Sequence, residues 1–90
     1  MSEKIKVTLY KSDPCGYCRA AIRFLKEVKG VDPVIVDLTG DYEARMKLVQ
    51  TTGSRTVPQI YVGNVHIGGY DEMRALEASG GLDPLLSNGD

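Results

Sequence analysis

The segment Lys-Ser-Asp-Pro-Cys-Gly-Tyr-Cys, residues 11–18, joins a predicted strand to a predicted helix and contains both cysteines of this 90-residue chain. It follows Ile5–Tyr10, whose alternation of apolar and polar residues predicts a β-strand. A helical pattern then runs from Gly16 to Lys29, and Gly30 is typical of a helix C-terminus. The predicted inward face of this helix consists of Cys18, Ala21, Ile22, Leu25 and Val28. Both sulfur atoms are therefore expected on one side of the first helical turn, close enough to bridge.

The residues after this helix predict a second strand and a second helix. Val34–Leu38 is β-branched and nearly unbroken, which is typical of a strand covered on both faces. Strand, helix and strand in this order imply a right-handed parallel βαβ unit. The second helix is expected over about residues 41–52, with Gly53 ending it. Three of its side chains are predicted to face inward: Tyr42, Met46 and Val49.

The last third of the chain predicts a hairpin and two further helices. Strands at residues 59–62 and 65–67 flank Gly63-Asn64, a two-residue link typical of a type I′ or II′ turn. A helix is expected over residues 70–79, and Asp83-Pro84 favours the start of a short terminal helix. Residues 1–90 are thus predicted to form one α/β domain. Its four-stranded mixed sheet combines a parallel βαβ unit with an antiparallel hairpin and carries helices on both faces.

Composition excludes several functional classes. The formal net charge of −1 gives no electrostatic case for binding nucleic acid or an anionic membrane. No apolar run approaches the ~20 residues that span a bilayer, and Met1–Lys4 lacks the apolar segment of a secretory signal. Since a small secreted scaffold usually carries more cysteines, we expect a reducing, cytoplasmic location. The numbering leaves open a transit peptide removed before residue 1.

The position of the cysteine pair predicts redox chemistry. Free N–H groups and the positive end of the helix dipole lower the pKa of a thiol at a helix start. We therefore expect Cys15 to be the accessible nucleophile, with Lys11 as a nearby cation, and Cys18 to be the more buried resolving thiol. The alternatives are an inert core pair or half of a zinc site. A zinc site needs three or four ligands, and His66 is the only histidine.

Two further segments attract attention. Proline in Thr56-Val57-Pro58 stands at the start of a predicted strand, where it either simply marks that strand boundary or carries a cis peptide bond. Gly68 and Gly69 precede a predicted helix and permit close backbone approach, and free N–H groups at that helix start suit a carboxylate ligand. The alternative for this second segment is an ordinary strand-to-helix turn.

Together, Cys-Gly-Tyr-Cys, Thr-Val-Pro and Gly-Gly-Tyr-Asp resemble the glutaredoxins in order and spacing, from about residue 4 to residue 86. The resemblance implies the thioredoxin fold and a glutathione-dependent thiol–disulfide oxidoreductase. Cys15 would attack the glutathione sulfur of a protein–glutathione mixed disulfide, and a second glutathione would release the product. Cys18 would resolve intermediates with disulfide-containing proteins. Glutathione reductase and NADPH would restore glutathione, and the protein would act as a monomer.

The resemblance also implies a glutathione site. The backbone of Val57, next to a cis-Pro58, would pair with the cysteinyl part of glutathione, and Thr56 lies beside that contact. The backbone N–H of Asp71 would meet the γ-glutamyl end. Four more residues are assigned to the same groove by their positions in the motifs: Lys11, Tyr17, Gly69 and Glu72. Arg45 falls near a position that holds the glycyl carboxylate, although a solvated helix-face arginine explains it equally well.

Two departures from the common family pattern leave a second function open. Gly16 stands where a proline often follows the first cysteine, and Glu72 replaces a usual aspartate. Some similar proteins without that proline hold a [2Fe–2S] cluster between two protomers. Two Cys15 thiolates and two glutathiones would supply the four thiolates that a cluster needs. A third hypothesis keeps the fold and changes the reductant to a flavoprotein reductase, as for a thioredoxin.

Overall fold

A computed structural model describes residues 5–88. The four strands are β1 (Val7–Lys11), β2 (Val34–Asp37), β3 (Gln59–Val62) and β4 (Val65–Gly68), in the sheet order β2-β1-β3-β4. β1 and β2 are parallel, and the other two pairs are antiparallel. The helices are α1 (Gly16–Arg23), α2 (Tyr42–Thr52), α3 (Tyr70–Ala78) and α4 (Leu82–Asn88). The predicted mixed sheet and thioredoxin fold are confirmed.

The main core lies on one face of this sheet. Alternate residues of β1 and β3 point to that face, and Leu9 pairs with Ile60 in the ladder. The core side chains include Val7, Leu9, Ala21, Leu25, Ile60, Val62, Met73 and Leu82, each exposed by 2% or less. Burying a large apolar side chain contributes about 1.5–3 kcal/mol. This shared core fixes α1 and α3 against the same strands, so their N-terminal ends have defined positions.

The opposite face is covered by α2, which confirms helices on both faces. Ala44 and Leu48 of this helix line a cleft with Tyr10 and Tyr61 of the sheet. The predicted inward face of α2 is wrong, because Tyr42 is 75% exposed. Met46 and Val49 are only half-buried, whereas Leu48 is buried. Apolar residues occur all round this helix, and spacing alone does not identify the face that meets the sheet.

The first helix ends in a π-helical turn, Phe24–Val28, in which the Lys29 N–H donates to the Phe24 carbonyl at 3.2 Å. A π turn holds more residues than an α turn and rotates the side chains that follow it. Phe24 and Leu25 are buried, but Val28 is 63% exposed, so the prediction that Val28 faces inward is wrong.

β2 lies at the edge of the sheet, and neither of its faces is fully covered, which corrects the prediction of a strand covered on both faces. It pairs only with β1, and Val34 and Ile35 are 45% and 38% exposed. The β-branched composition of Val34–Asp37 suits any strand, whether central or at an edge, and does not report its position in the sheet.

Two glycines end a helix and open a hairpin turn at the positions that the sequence predicts. Gly53 ends α2 with φ of +74°, the left-handed conformation typical of a helix C-terminus. Gly63 opens the β3–β4 hairpin with φ of +59°, and no described non-glycine residue has a positive φ. Because only the first central residue of the turn is left-handed, the hairpin matches type II′ rather than type I′.

Candidate active site

Cys15 is the N-cap residue of α1. Its backbone is extended, and its sulfur accepts a hydrogen bond from the Cys18 N–H at 3.1 Å. The Cys15 thiol also lies 3.6 Å from the Val57 carbonyl, to which it donates. The cysteine is half-buried and free of any disulfide. A donor at the end of the helix thus faces the sulfur, which is the arrangement that stabilises a thiolate.

Cys18 occupies a different environment one turn later. Its side chain is only 1% exposed, among the core residues. Burial, helped by a hydrogen bond with Cys15, raises the pKa of the Cys18 thiol to about 12. A backbone hydrogen bond at Ser12 and the charge of Lys11 act in the opposite direction. The prediction that Cys18 is the more buried thiol is confirmed, and its raised pKa favours the protonated form at neutral pH.

A cleft of about 240 Å³ lies beside Cys15. One wall is the segment Thr56–Pro58, whose Val57–Pro58 peptide bond is cis. The structure brings seven of the predicted binding residues together in this cleft: Tyr17, Thr56, Val57, Pro58, Gly69, Asp71 and Glu72. The thiol–carbonyl contact between Cys15 and Val57 connects the cleft to the sulfur.

The N-terminus of α3 forms the other wall. Gly69 is its N-cap, and its N–H donates to the Glu72 carboxylate at 2.8 Å. The next three amides, including that of Asp71, precede the first intrahelical hydrogen bond and have no partner within the helix. A Cβ at Gly69 would lie 3.1 Å from Glu72 Oε1 and 3.3 Å from the Pro58 carbonyl oxygen. The two walls therefore approach closely because residue 69 has no side chain.

Lys11 and Arg45 are not among the residues that line this cleft. Lys11 Nζ lies 2.8 Å from Asp13 and 3.9 Å from Asp37, and its hydrogen bond with Asp13 raises the lysine pKa. Arg45 donates to the Arg55 carbonyl at 2.9 Å, one residue before the cleft wall. The cation expected beside Cys15 is thus paired with carboxylates.

Tyr70 is a cleft residue that the sequence analysis missed. Its ring lies 6.0 Å from that of Tyr17 between ring centres, and its hydroxyl accepts a hydrogen bond from Arg74 at 2.8 Å. Arg74 also stacks 4.6 Å from the centre of the Phe24 ring. Its position in the sequence, between the predicted site residues Gly69 and Asp71, could have identified Tyr70, because all three line the cleft.

Among residues 5–88, no group of three or more His, Cys, Asp and Glu side chains is placed to hold a metal ion. Within the same residues, no helix has the length and hydropathy to cross a bilayer.

Comparisons with known proteins agree with this geometry. The glutaredoxin family model matches residues 7–67. A glutaredoxin of Pseudomonas aeruginosa is 44% identical over 81 residues, covering 90% of this chain and 95% of the relative. The structure of a buckwheat glutaredoxin–glutathione complex superimposes with a TM-score of 0.80 at 32% identity, covering 91% of this chain and 76% of the other. The holo form of glutaredoxin C1 from Populus tremula x tremuloides gives a TM-score of 0.82 at 30% identity, with coverages of 92% and 77%.

Proposed function

The chain belongs to the glutaredoxin family, and on that premise we propose that it reduces protein–glutathione mixed disulfides and protein disulfides with glutathione. Family and fold support a thiol oxidoreductase in general. The observation that carries the finer proposal is the position of Cys15, which sits at a helix N-terminus and contacts the wall of a cleft large enough for part of a peptide. The Cys15 sulfur also accepts a hydrogen bond from the Cys18 N–H, so a donor for the thiolate is already in place.

In the first half-reaction, the Cys15 thiolate attacks the glutathione sulfur of a mixed disulfide. The disulfide bond breaks, the protein thiolate leaves and takes up a proton, and glutathione becomes linked to Cys15. A second glutathione thiolate then attacks that linkage, which forms glutathione disulfide and restores Cys15. NADPH and glutathione reductase supply the two electrons that return glutathione disulfide to glutathione. A reducing, cytoplasmic compartment provides these reactants.

For a protein disulfide, the Cys15 thiolate attacks one of the two sulfurs, the disulfide bond breaks, and the other protein thiolate leaves and takes up a proton. Cys15 is then linked to the protein, and Cys18 attacks the Cys15 sulfur. A Cys15–Cys18 disulfide forms, and the departing protein thiolate takes up the proton that Cys18 loses. Two glutathiones then reduce the Cys15–Cys18 disulfide to the two thiols and are themselves oxidised to glutathione disulfide. Since burial holds the Cys18 thiol protonated, it does not compete with Cys15 for the first attack. The unequal surroundings of the two sulfurs therefore support separate roles.

The proposed glutathione-binding site lies between the two walls of the cleft. The Val57 backbone would pair with the cysteinyl part, beside Thr56 and Pro58. The free amide of Asp71 would hold the γ-glutamyl carboxylate at the start of α3, where the helix dipole favours an anion. The other residues that we assign to the glutathione site are Lys11, Tyr17, Arg45, Gly69 and Glu72.

The test is turnover of a glutathionylated peptide with glutathione, glutathione reductase and NADPH. Cys15→Ser should abolish turnover, because it removes the nucleophile. Cys18→Ser should retain turnover of this substrate and lose most reduction of a protein disulfide. Equal loss from both variants on the glutathionylated peptide would contradict the assigned roles, and negligible turnover by folded, reduced wild type would contradict the proposed function.

A glutathione-ligated [2Fe–2S] dimer, acting as a carrier or sensor, is the second candidate. Two observations favour it: Gly16 follows Cys15, and one structural relative is a holo form. One chain offers a single accessible thiol, Cys15, so the cluster would need a second chain and two glutathiones to reach four thiolates. Anaerobic purification that gives a colourless monomer, even after cluster reconstitution, would rule this function out.

A further inference from the structure

The side chain of Gln59 is buried directly behind the cleft wall. It is the first residue of β3 and only 2% exposed. Its amide nitrogen lies 2.8 Å from the Thr56 carbonyl oxygen and 3.2 Å from Ser54 Oγ. A carbonyl oxygen can only accept a hydrogen bond, so the nitrogen of the amide must face Thr56. The orientation of this buried amide is thereby fixed at one end.

His66 fixes the other end of the same amide. Its Nε2 atom lies 2.7 Å from Gln59 Oε1, and because that oxygen only accepts, the histidine must donate. The neutral Nε2–H tautomer and the imidazolium both carry this proton, so the contact persists in either charge state. The His66 ring also packs against Tyr61, with ring centres 4.9 Å apart. His66 on β4 is thus connected through Gln59 to the Thr56–Pro58 wall.

The Thr56 carbonyl belongs to the peptide group that carries the Val57 N–H. In a planar trans peptide the C=O and N–H bonds point in opposite directions. Holding the Thr56 oxygen against buried Gln59 therefore turns the Val57 N–H the other way, toward the cleft that Thr56 and Val57 line. Within residues 5–88, the Val57 N–H has no acceptor in the protein.

We propose that Gln59, oriented by His66, is a positioning residue that aims the Val57 N–H at the bound glutathione backbone. This inference rests on the proposed function, and it assigns a task to two residues that do not line the cleft themselves. It predicts an effect on glutathione binding, with little effect on the sulfur chemistry at Cys15. Among residues 5–88, no hydrogen bond joins Gln59 or His66 to a cysteine, and the Cys15 sulfur has its own donor in Cys18.

Gln59→Met tests the proposal, because it keeps the length of the side chain and removes its donor and acceptor. The loss of one well-placed hydrogen bond should raise the Kd for S-methylglutathione, a ligand without a free thiol, about three- to tenfold. The KM for glutathionylated peptide should rise in parallel, while kcat stays within about twofold of wild type. His66→Phe, which keeps a ring against Tyr61, should raise Kd in the same direction by less. Gln50→Met on the exposed side of α2 is the matched control and should change nothing.

A folded Gln59→Met variant with unchanged Kd would overturn the proposal, as would a fall in kcat at constant KM. Where Gln59→Met fails to fold, His66→Phe decides by the same criteria. The ¹³C shift of the Thr56 carbonyl gives a readout that needs no glutathione, since it reports the hydrogen bond directly. An unchanged shift in Gln59→Met overturns the positioning role, whereas absent binding and turnover in wild type overturn the proposed function instead.

Discussion

A spacing of three residues gives Cys15 and Cys18 opposite surroundings, although both belong to the start of one helix. Cys15 precedes the helix as its N-cap and contacts the cleft wall at Val57, whereas Cys18 is one turn inside and is buried in the core. This division follows from the helical repeat, because the apolar face that begins at Cys18 continues through Ala21 and Leu25. Sequence was therefore sufficient to predict which cysteine is buried.

The neighbours of single residues were harder to predict. Asp37, one acidic partner of Lys11, lies on a different strand, whereas Asp13 is only two residues away. The partners of Gln59 are Thr56, Ser54 and His66, all within seven residues of it. Even these short-range contacts depend on how the chain turns between elements, which hydrophobic periodicity does not predict. The cleft residues were found because the three motifs of the family mark them, whereas Tyr70 and Gln59 lie inside or beside those motifs without a signature of their own.

Arg45 provides a prediction about substrate affinity. Its guanidinium is anchored to the Arg55 carbonyl, next to the cleft wall, where it would meet the glycyl carboxylate. Arg45→Glu replaces attraction with repulsion and should raise the KM for glutathione severalfold, since charge-assisted hydrogen bonds are worth about 1.5–3 kcal/mol. The measurement is steady-state kinetics with varied glutathione.

Lys47→Glu is the control for Arg45→Glu, because it makes the same charge change on an exposed position of α2. It should leave KM close to the wild-type value. An unchanged KM in Arg45→Glu would remove Arg45 from the glutathione site and leave it as a residue that braces the loop at Arg55.

Among the elements, the end of the first helix shows what periodicity does and does not reveal. The pattern of apolar residues predicted one helix from Gly16 to Lys29, and the chain is helical from Gly16 to Val28, with Lys29 as the C-cap. The change to a π turn at Phe24–Val28 depends on packing against the rest of the core, so the outward rotation of Val28 was not predictable. The edge position of β2 was missed for a similar reason, because strand order is set by pairing between distant segments.

Lys29 follows the π turn and forms ion pairs with residues of α3 and α4. Its Nζ lies 2.8 Å from Glu77 on α3 and 2.7 Å from Asp83 on α4, with only 10% of the lysine side chain exposed. Both hydrogen bonds raise the pKa of Lys29, and the bond with Asp83 has the larger effect. Lys29→Met should lower Tm by several degrees, because it leaves two carboxylates without their shared partner. Thermal unfolding followed by circular dichroism measures the effect.

Lys26→Met serves as the matched control for Lys29→Met. Lys26 pairs with Asp32 at 3.7 Å, and both side chains are largely exposed, at 54% and 90%. Exposed pairs of this kind contribute little to stability, so Tm should stay close to that of wild type. Equal Tm losses in the two variants would show that Lys29 is no more than a surface cation.

At the scale of the whole molecule, the fold brings the cleft walls together from three separate places. α1 supplies Tyr17, the loop before β3 supplies Thr56–Pro58, and the start of α3 with its N-cap supplies Gly69–Glu72. Cys15, the N-cap of α1, contacts this cleft at the Val57 carbonyl. The strand order β2-β1-β3-β4 places the C-terminal end of β1 beside the N-terminal end of β3, because these two strands are antiparallel. The shared core holds α1 and α3 against them. The same core that positions the cleft also buries Cys18, so the stability of the molecule and the properties of this thiol are linked.

That link predicts how stability depends on pH. The pKa of Cys18 is raised from its ordinary value of 9.0 to about 12 in the folded protein, chiefly by burial. Below pH 9 the thiol is neutral in both states, and its contribution to stability is complete. Between pH 9 and 12 the unfolded chain loses this proton while the folded chain keeps it, so the free energy of unfolding must fall as pH rises.

Comparing wild type with Cys18→Ala isolates this effect. Lys11 and Lys29 also have raised pKa values, from pairing with Asp13 and with Asp83 and Glu77, and lose stability in the same direction as they deprotonate. Because both proteins retain these lysines, the stability advantage of wild type over Cys18→Ala should shrink steadily above pH 9. Urea unfolding from about pH 8 to about pH 11, under reducing conditions, measures it. A difference that stays constant over this range would mean that Cys18 titrates alike in both states, and its protonation would then be no barrier to the first attack on a disulfide.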